Sequence, residues 1–234
     1  MKNGWLRLRL KNKPLNRWAR ANLSSLQHID PERPARNFEY VVVDLETTGM
    51  SLADDCVLSM GAVRIADGRI RLGDIFNELV NPGRDIPDSS IKIHGIVPDM
   101  VRSAPPAGEV FERFLAYLGT DILVGHNIAF DLYFINKAMR NINGFPIQNL
   151  TLDTMPLSRA FGLTVHGYPY SVVWDSSQNE LCNLAHCSGF EVVERHNALG
   201  DALATAMLFQ RILARLESDG HGHLRKLVRA GARS

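Results

Sequence analysis

Tyr40-Val41-Val42-Val43-Asp44-Leu45-Glu46-Thr47-Thr48-Gly49 decides how this chain is read. Tyr40–Leu45 is short and β-branched, as expected of a central strand buried on both faces. Two carboxylates, Asp44 and Glu46, interrupt it. A buried carboxylate is costly unless it is paired or binds a metal, so packing alone does not explain them. Residues two apart on a strand emerge on one side, which is the geometry needed to share a cation. Hard divalent cations such as magnesium and manganese prefer oxygen ligands.

Two further contexts repeat the theme. One is Gly125-His126-Asn127-Ile128-Ala129-Phe130-Asp131, and the other is His196-Asn197-Ala198-Leu199-Gly200-Asp201. Taken singly, each has a plain reading. Asp131 is an acid in the first turns of a helix, where the dipole favours it. Asp201 is a surface helix residue, and His196 an ordinary surface or core histidine. Taken together, four carboxylates converging on one spot would repel each other unless divalent cations offset the charge. The inference is a two-metal carboxylate site for phosphoryl chemistry, with Asp44, Glu46, Asp131 and Asp201 as ligands. Histidine titrates nearest neutrality of the common side chains, so a general base is the role that suits His196.

In these three motifs, in this order, the chain resembles the DEDDh family of 3′–5′ exonucleases, over roughly Phe38 to Leu216. His196 stands five residues before Asp201, which is the histidine pattern; the tyrosine subtype would need its tyrosine where Ala198 stands. The flavour is that of the branch containing the epsilon subunit of bacterial DNA polymerase III. The resemblance implies a ribonuclease-H-like α/β fold, a mixed five-stranded sheet flanked by helices. It implies two divalent cations, Mg²⁺ or Mn²⁺, Asp44 bridging them and Asp131 holding the second directly or through water. It implies hydrolysis of phosphodiester bonds from a single-stranded or frayed 3′ end, DNA before RNA, releasing nucleoside 5′-monophosphates. For the terminal nucleotide it points to the backbone of Thr47, Thr48 and Gly49, where glycine permits close approach. His94, within Ile93-His94-Gly95-Ile96, would touch that nucleotide too. Asn127 would brace its loop, and Phe130 either packs below the nucleotide or fills core. Relatives often carry an acid five residues before that histidine to bind the sugar hydroxyl. Here the position is Ser89, which leaves the sugar preference open.

The rest of the chain bounds this reading. With 234 residues, 45% hydrophobic and 22% charged, one sizeable domain with extensions is expected. Neither a membrane span nor a secretory apolar core is visible, and a cytoplasmic location is expected. Cys56, Cys182 and Cys187 read as small buried hydrophobes in a reducing compartment. Residues 1–36 form a basic arm with nine Lys/Arg against Asp30 and Glu32, so +7 faces −6 over the remainder. The arm either binds nucleic acid or packs on the body through a stripe of Leu15, Trp18, Leu23 and Leu26. The exonuclease domain is drawn at 37–217, with an insertion at 163–179 and a mobile basic tail at 218–234. Tyr168, Tyr170 and Trp174 of the insertion either stack on bases or anchor the loop.

Strands are expected at Tyr40–Leu45, Val57–Ile65, Ile70–Val80, Ile122–Val124 and Thr151–Asp153. Asp67-Gly68 is a hairpin turn signal. Helices are expected at Glu109–Leu118, Ala129–Arg140, Leu181–Cys187 and Ala198–Leu216, and Asp153 is a cap for the helix after it. Two other functions compete: an RNA 3′ trimmer like RNase T or oligoribonuclease, and a noncatalytic nucleic-acid-binding module. No motif carboxylate is missing, which weighs against the second. A polymerase partner is possible, but the basic tail holds no convincing clamp-binding segment, so a standalone exonuclease is preferred.

Overall fold

The computed structural model describes residues 17–25, 29–163, 181, 184–185, 189, 196–220 and 222–231. After helix α1 (Arg17–Ser24) come β1 (Tyr40–Thr47), β2 (Val57–Ala66) and β3 (Arg69–Leu79). Then follow α2 (Asp88–His94), α3 (Pro98–Val101), α4 (Ala107–Leu118), β4 (Ile122–Gly125), α5 (Ala129–Asn143), β5 (Thr151–Asp153) and α6 (Thr154–Ala160). Helices α7 (Ala198–Ser218) and α8 (Leu224–Gly231) complete the described elements. Asp67 and Gly68 both take positive φ, 52° and 69°, as a two-residue type I′ hairpin turn requires. The β2–β3 hairpin is therefore written into those two residues.

One five-stranded sheet runs in the order β3-β2-β1-β4-β5. The hairpin strands β3, β2 and β1 are antiparallel, while β4 and β5 join β1 in parallel. Alternation along β1 divides the core. Val42 belongs to the cluster with Leu208, Phe209 and Ile212 of α7. Val41, Val43 and Leu45 belong to the opposite cluster, with Phe111, Phe114 and Leu115 of α4 and Phe134 and Ile135 of α5. Asp44 and Glu46 follow Val42 at steps of two, so they share the face that α7 covers. Leu181, Leu184 and Ala185 are helical and buried, the two leucines in the cluster on that same side. The remainder of 181–187, including Cys182 and Cys187, and the insertion from 164, with its Tyr168, Tyr170 and Trp174, lie outside the described residues.

Both ends of the described chain depart from a simple picture of loose arms. Helix α1 is docked: Ala19 and Leu23 are buried with Phe145. Buried Asn22 accepts from the Gln148 N–H at 2.8 Å and donates to the Asn149 side chain. Trp18 packs against the cluster of α4 and α5, with the Arg17 guanidinium 4.1 Å above its ring. Leu15 and Leu26 of the expected stripe lie outside the described residues. The expectation of a mobile C-terminal tail is corrected. Residues 224–231 are helical, and Leu224 and Leu227 are fully buried in the main cluster. Spaced three apart, they make an apolar stripe inside a basic segment. That segment also pairs with the chain before β1, through Ala35 N–H to Gly222 O and Leu224 N–H to Arg33 O.

Candidate active site

The carboxylates are delivered by three elements. β1 places Asp44 opposite Gly61 and Glu46 opposite Ser59 on β2. Helix α7 opens at Ala198, capped by Asn197, whose Oδ1 accepts the Gly200 N–H at 3.0 Å. That cap fixes the first turn, and Asp201 sits within it. Oxygens of Asp44, Glu46 and Asp201 all lie within 4.8 Å of one another. Asp201 is buried, Glu46 nearly so, and Asp44 is partly exposed.

Asp131 does not join that trio, although it is buried in the first turn of α5. The body of α5 packs on the opposite face of the sheet, and Asp131 accepts from the Leu45 backbone of β1. It is close enough for its charge to raise the pKa of Asp44. The four acids therefore divide three and one.

Their electrostatics follow from enclosure first and crowding second. Burial lifts Glu46 to about 7, with Asp201 adding to it. Burial lifts Asp131 to about 8; backbone amides of Asp131 itself and Leu45 oppose the shift, and Glu46 and Asp153 add to it. Asp44 is pushed well up by burial, then by Asp131, Asp201 and Glu46. Such a set is unfavourable with all charges bare. Three hard oxygen donors at this spacing fit a divalent cation, which would remove the repulsion.

His196 stands at the mouth, partly exposed, in the left-handed region at φ 57°. Its N–H donates to Asp201 Oδ2 at 3.1 Å, which ties the loop to the helix. His94, ending α2, faces the same cleft, and its Nδ1 accepts the Ile96 N–H at 3.0 Å. Burial lowers its pKa, the Thr47 backbone raises it, and His196 lowers it again. Glu46, His94 and His196 line a cleft of about 590 Å³ together with Met100, Asn77 and Ala198. Ser89 is exposed on α2.

The turn after β1 is built from its own side chains. Thr47 Oγ1 donates to Gly49 O at 2.7 Å. Thr48 Oγ1 donates to Asp55 Oδ1 at 2.6 Å and accepts the Cys56 N–H at 3.0 Å. Both hydroxyls are thus engaged within the turn, and the Thr48 N–H donates to Cys56 O at 2.9 Å. A Cβ on Gly49 would meet Asp55 Oδ2 at 2.6 Å. The close approach that this glycine permits is to Asp55, a residue that sequence reasoning passed over inside a plain polar loop.

Asp153 was also more than its sequence suggested. As expected it caps α6, accepting the Met155 N–H at 2.8 Å. It further accepts from Asn127 N–H at 3.0 Å and Ile128 N–H at 3.2 Å. It thereby fixes the turn, with Asn127 at φ 52°, that launches α5 and Asp131. Asn127 itself is exposed. Phe130 is partly buried, edge-on to Phe134 at 5.1 Å between centroids. His126 Nδ1 pairs with Thr154 Oγ1 at 2.8 Å, and burial lowers its pKa to about 4.

Residues 41–209, well over half the chain, match the RNase T exonuclease family. The chain belongs to that family. As a DEDDh-type exonuclease domain with a ribonuclease-H-like fold, it is 39% identical over 193 residues to a DNA polymerase III subunit epsilon-like protein of Rhodobacter capsulatus. That match covers 81% of this chain and 26% of the relative. It is 36% identical over 172 residues to the PolC-type DNA polymerase III of Clostridium perfringens, 74% of this chain and 11% of that one. The exonuclease thus spans about a quarter or less of these relatives. In fold it is similar to the E. coli Exonuclease I–ssDNA complex, with TM-score 0.65 at 18% identity over 77% of this chain and 41% of that chain. It is similar also to Exonuclease X in complex with 5′ overhanging duplex DNA, with TM-score 0.56 at 23% identity over 81% and 99%. Among the described residues no helix is long and apolar enough to cross a membrane.

Proposed function

We propose that this chain hydrolyses phosphodiester bonds stepwise from the 3′ end of nucleic acid, DNA before RNA, and releases nucleoside 5′-monophosphates. The observation that carries the reading is the meeting of Asp44, Glu46 and Asp201 within 4.8 Å, beside a cleft walled by His94 and His196. In it, Asp44, Glu46 and Asp201 would hold one divalent cation, Mg²⁺ or Mn²⁺, and Asp44 with Asp131 would hold a second. When bound, such cations offset the carboxylate charge and stabilise the oxyanions of phosphoryl transfer. His196 takes the proton of the attacking water from the solvent side. Its N–H bond to Asp201 holds the loop in place for that role. His94 and the backbone of Thr47, Thr48 and Gly49 seat the terminal nucleotide, while Asn127 and Phe130 brace the wall beside Asp131.

The substrate is a single-stranded or frayed 3′ end. The preference for DNA is supported by relatives named for DNA polymerase III and by a fold neighbour whose structure holds single-stranded DNA. A cytoplasmic site of action accords with Cys56, whose thiol is unbridged. The test is a time course on matched 5′-labelled and 3′-labelled single strands of DNA and RNA, with magnesium, with manganese and with chelator. Expected are a descending ladder from the 5′ label and immediate mononucleotide release from the 3′ label. Both should depend on the cation and be faster on DNA. Release from the 5′ end, or undiminished cutting in chelator, would overturn the reading.

A further inference from the structure

Gly61 is the register partner of Asp44, on the strand next to it. The first turn of α7 crosses the sheet at that point. A Cβ on Gly61 would stand 2.2 Å from Leu199 N, 2.3 Å from the Ala198 carbonyl carbon and 2.4 Å from Leu199 Cα. Those distances lie far inside van der Waals contact, and all three atoms are backbone. No rotamer change would relieve the collision; the turn itself must move away from the sheet. Conformational freedom is not the reason for glycine here, since φ lies outside the left-handed region. The reason is proximity.

That turn carries the chemistry. His196 precedes it, Asn197 caps it, and Asp201 is in it. Asp44 and Glu46, directly across, stand on the strand that Gly61 neighbours. Helix α7 packs against both β1 and β2, so its height above the sheet at Gly61 sets how far Asp201 is from the strand carboxylates. We propose that Gly61 is a positioning residue for the site: its missing side chain brings Asp201 and His196 down to Asp44 and Glu46. It touches neither substrate nor cation and acts entirely through the first turn of α7. The inference rests on the metal site assigned above, and it adds a residue outside the three motifs, on the strand beside the first of them. β3 supplies the comparison. Gly73 there would meet nothing within 4 Å, so its lack of a side chain serves no contact.

The test compares wild type, Gly61→Ala, Gly73→Ala and Ala198→Val. The last adds bulk at a buried position of the same turn. Each protein is titrated with manganese by calorimetry and assayed for kcat and KM on a 3′-terminal oligonucleotide. Circular dichroism and melting establish that it is folded. For Gly61→Ala, manganese binding should weaken at least about tenfold, and kcat should fall about 10²-fold, as an ångström of misplacement commonly costs. KM should change less than kcat, because Asn77, His94 and Met100 wall the cleft from elements other than the displaced turn. Ala198→Val should follow in the same direction, and Gly73→Ala should match wild type. Manganese affinity and kcat of folded Gly61→Ala within about twofold of wild type would overturn the proposal. Where Gly61→Ala does not fold, Ala198→Val decides alone. Failure of both to fold would make the contact a requirement of the fold and reject the positioning role. Wild type that binds no manganese would instead reject the metal site itself, so the two failures are distinguishable.

Discussion

Asp44, Glu46 and Asp131 are each pushed upward in pKa by enclosure, and that makes the protonation of the metal-free protein a stability variable. The folded values of about 7 for Glu46 and about 8 for Asp131 lie above the ordinary 4.5 and 3.8. A raised carboxylate binds its proton more tightly folded than unfolded. Its contribution is fully present below the unfolded value and is lost as pH rises through the folded one. Melting of chelator-treated protein should therefore occur at lower temperature as pH is raised from about 6.5 to about 8, above the range in which buried His126 and His94 act in the opposite sense. Saturating manganese should recover most of that loss, since it binds the deprotonated set. Stepwise melts with and without manganese check this; a metal-free curve that rises over the same interval would contradict it. His196 makes a separate prediction. Its positive φ suits asparagine better than alanine, so His196→Asn removes the proposed base while keeping the loop. Turnover should fall by about 10²–10⁴, the usual worth of a positioned general base, with manganese affinity unchanged by calorimetry. A large loss of manganese affinity would make His196 a ligand instead.

Among the elements, what local residue order decides was legible and what distant packing decides was not. The five strands stand where β-branched runs and the Asp67-Gly68 turn put them, with ends shifted by a residue or two. Asp44 and Glu46 announced themselves because charge in a buried run has few other uses. The division of the four acids agrees with the resemblance, which put Asp131 on a second cation; that the body of α5 packs on the opposite face of the sheet was not legible, because distant packing decides it. Helix α8 was missed because three apolar residues, Leu224, Leu227 and Val228, are diluted by Arg225, Lys226 and Arg229. Asp153 was recognised as a cap, yet two of its three backbone donors come from the turn before α5. An asparagine there keeps one acceptor oxygen and turns an amide group toward an N–H. Asp153→Asn should cost about 1–3 kcal/mol, the penalty for unmade buried hydrogen bonds. At about 2–4 °C per kcal/mol for a protein of this size, melting should fall by several degrees. An unchanged melting temperature would mean that the two turns hold without it.

Over the whole molecule the basic arm proves to have two parts. Residues 17–24 are a docked helix, anchored by Ala19, Asn22 and Leu23. Lys2, Arg7, Arg9, Lys11 and Lys13 precede it. Two truncations separate their contributions. Removing residues 1–16 should flatten the salt dependence of binding to long single strands, since fewer phosphates lose their counterions. Removing residues 1–25 should in addition lower the melting temperature and slow hydrolysis of long and short substrates alike. Equal salt slopes for full-length protein and the shorter truncation would remove nucleic-acid binding from the arm's duties.

The sheet order has a consequence for how the protein is made. Asp44 and Glu46 leave the ribosome early, on the first strand, whereas Asp201 arrives on a helix begun only at Ala198, after all five strands. The pairing of Ala35 with Gly222 closes later still. A nascent chain that has not reached Ala198 holds the strand carboxylates without their third companion or the histidine loop's support. The fragment 1–197 should accordingly bind manganese poorly and cut nothing in the labelled-strand assay. A chain made in that order completes its carboxylate trio only once the first turn of α7 has emerged.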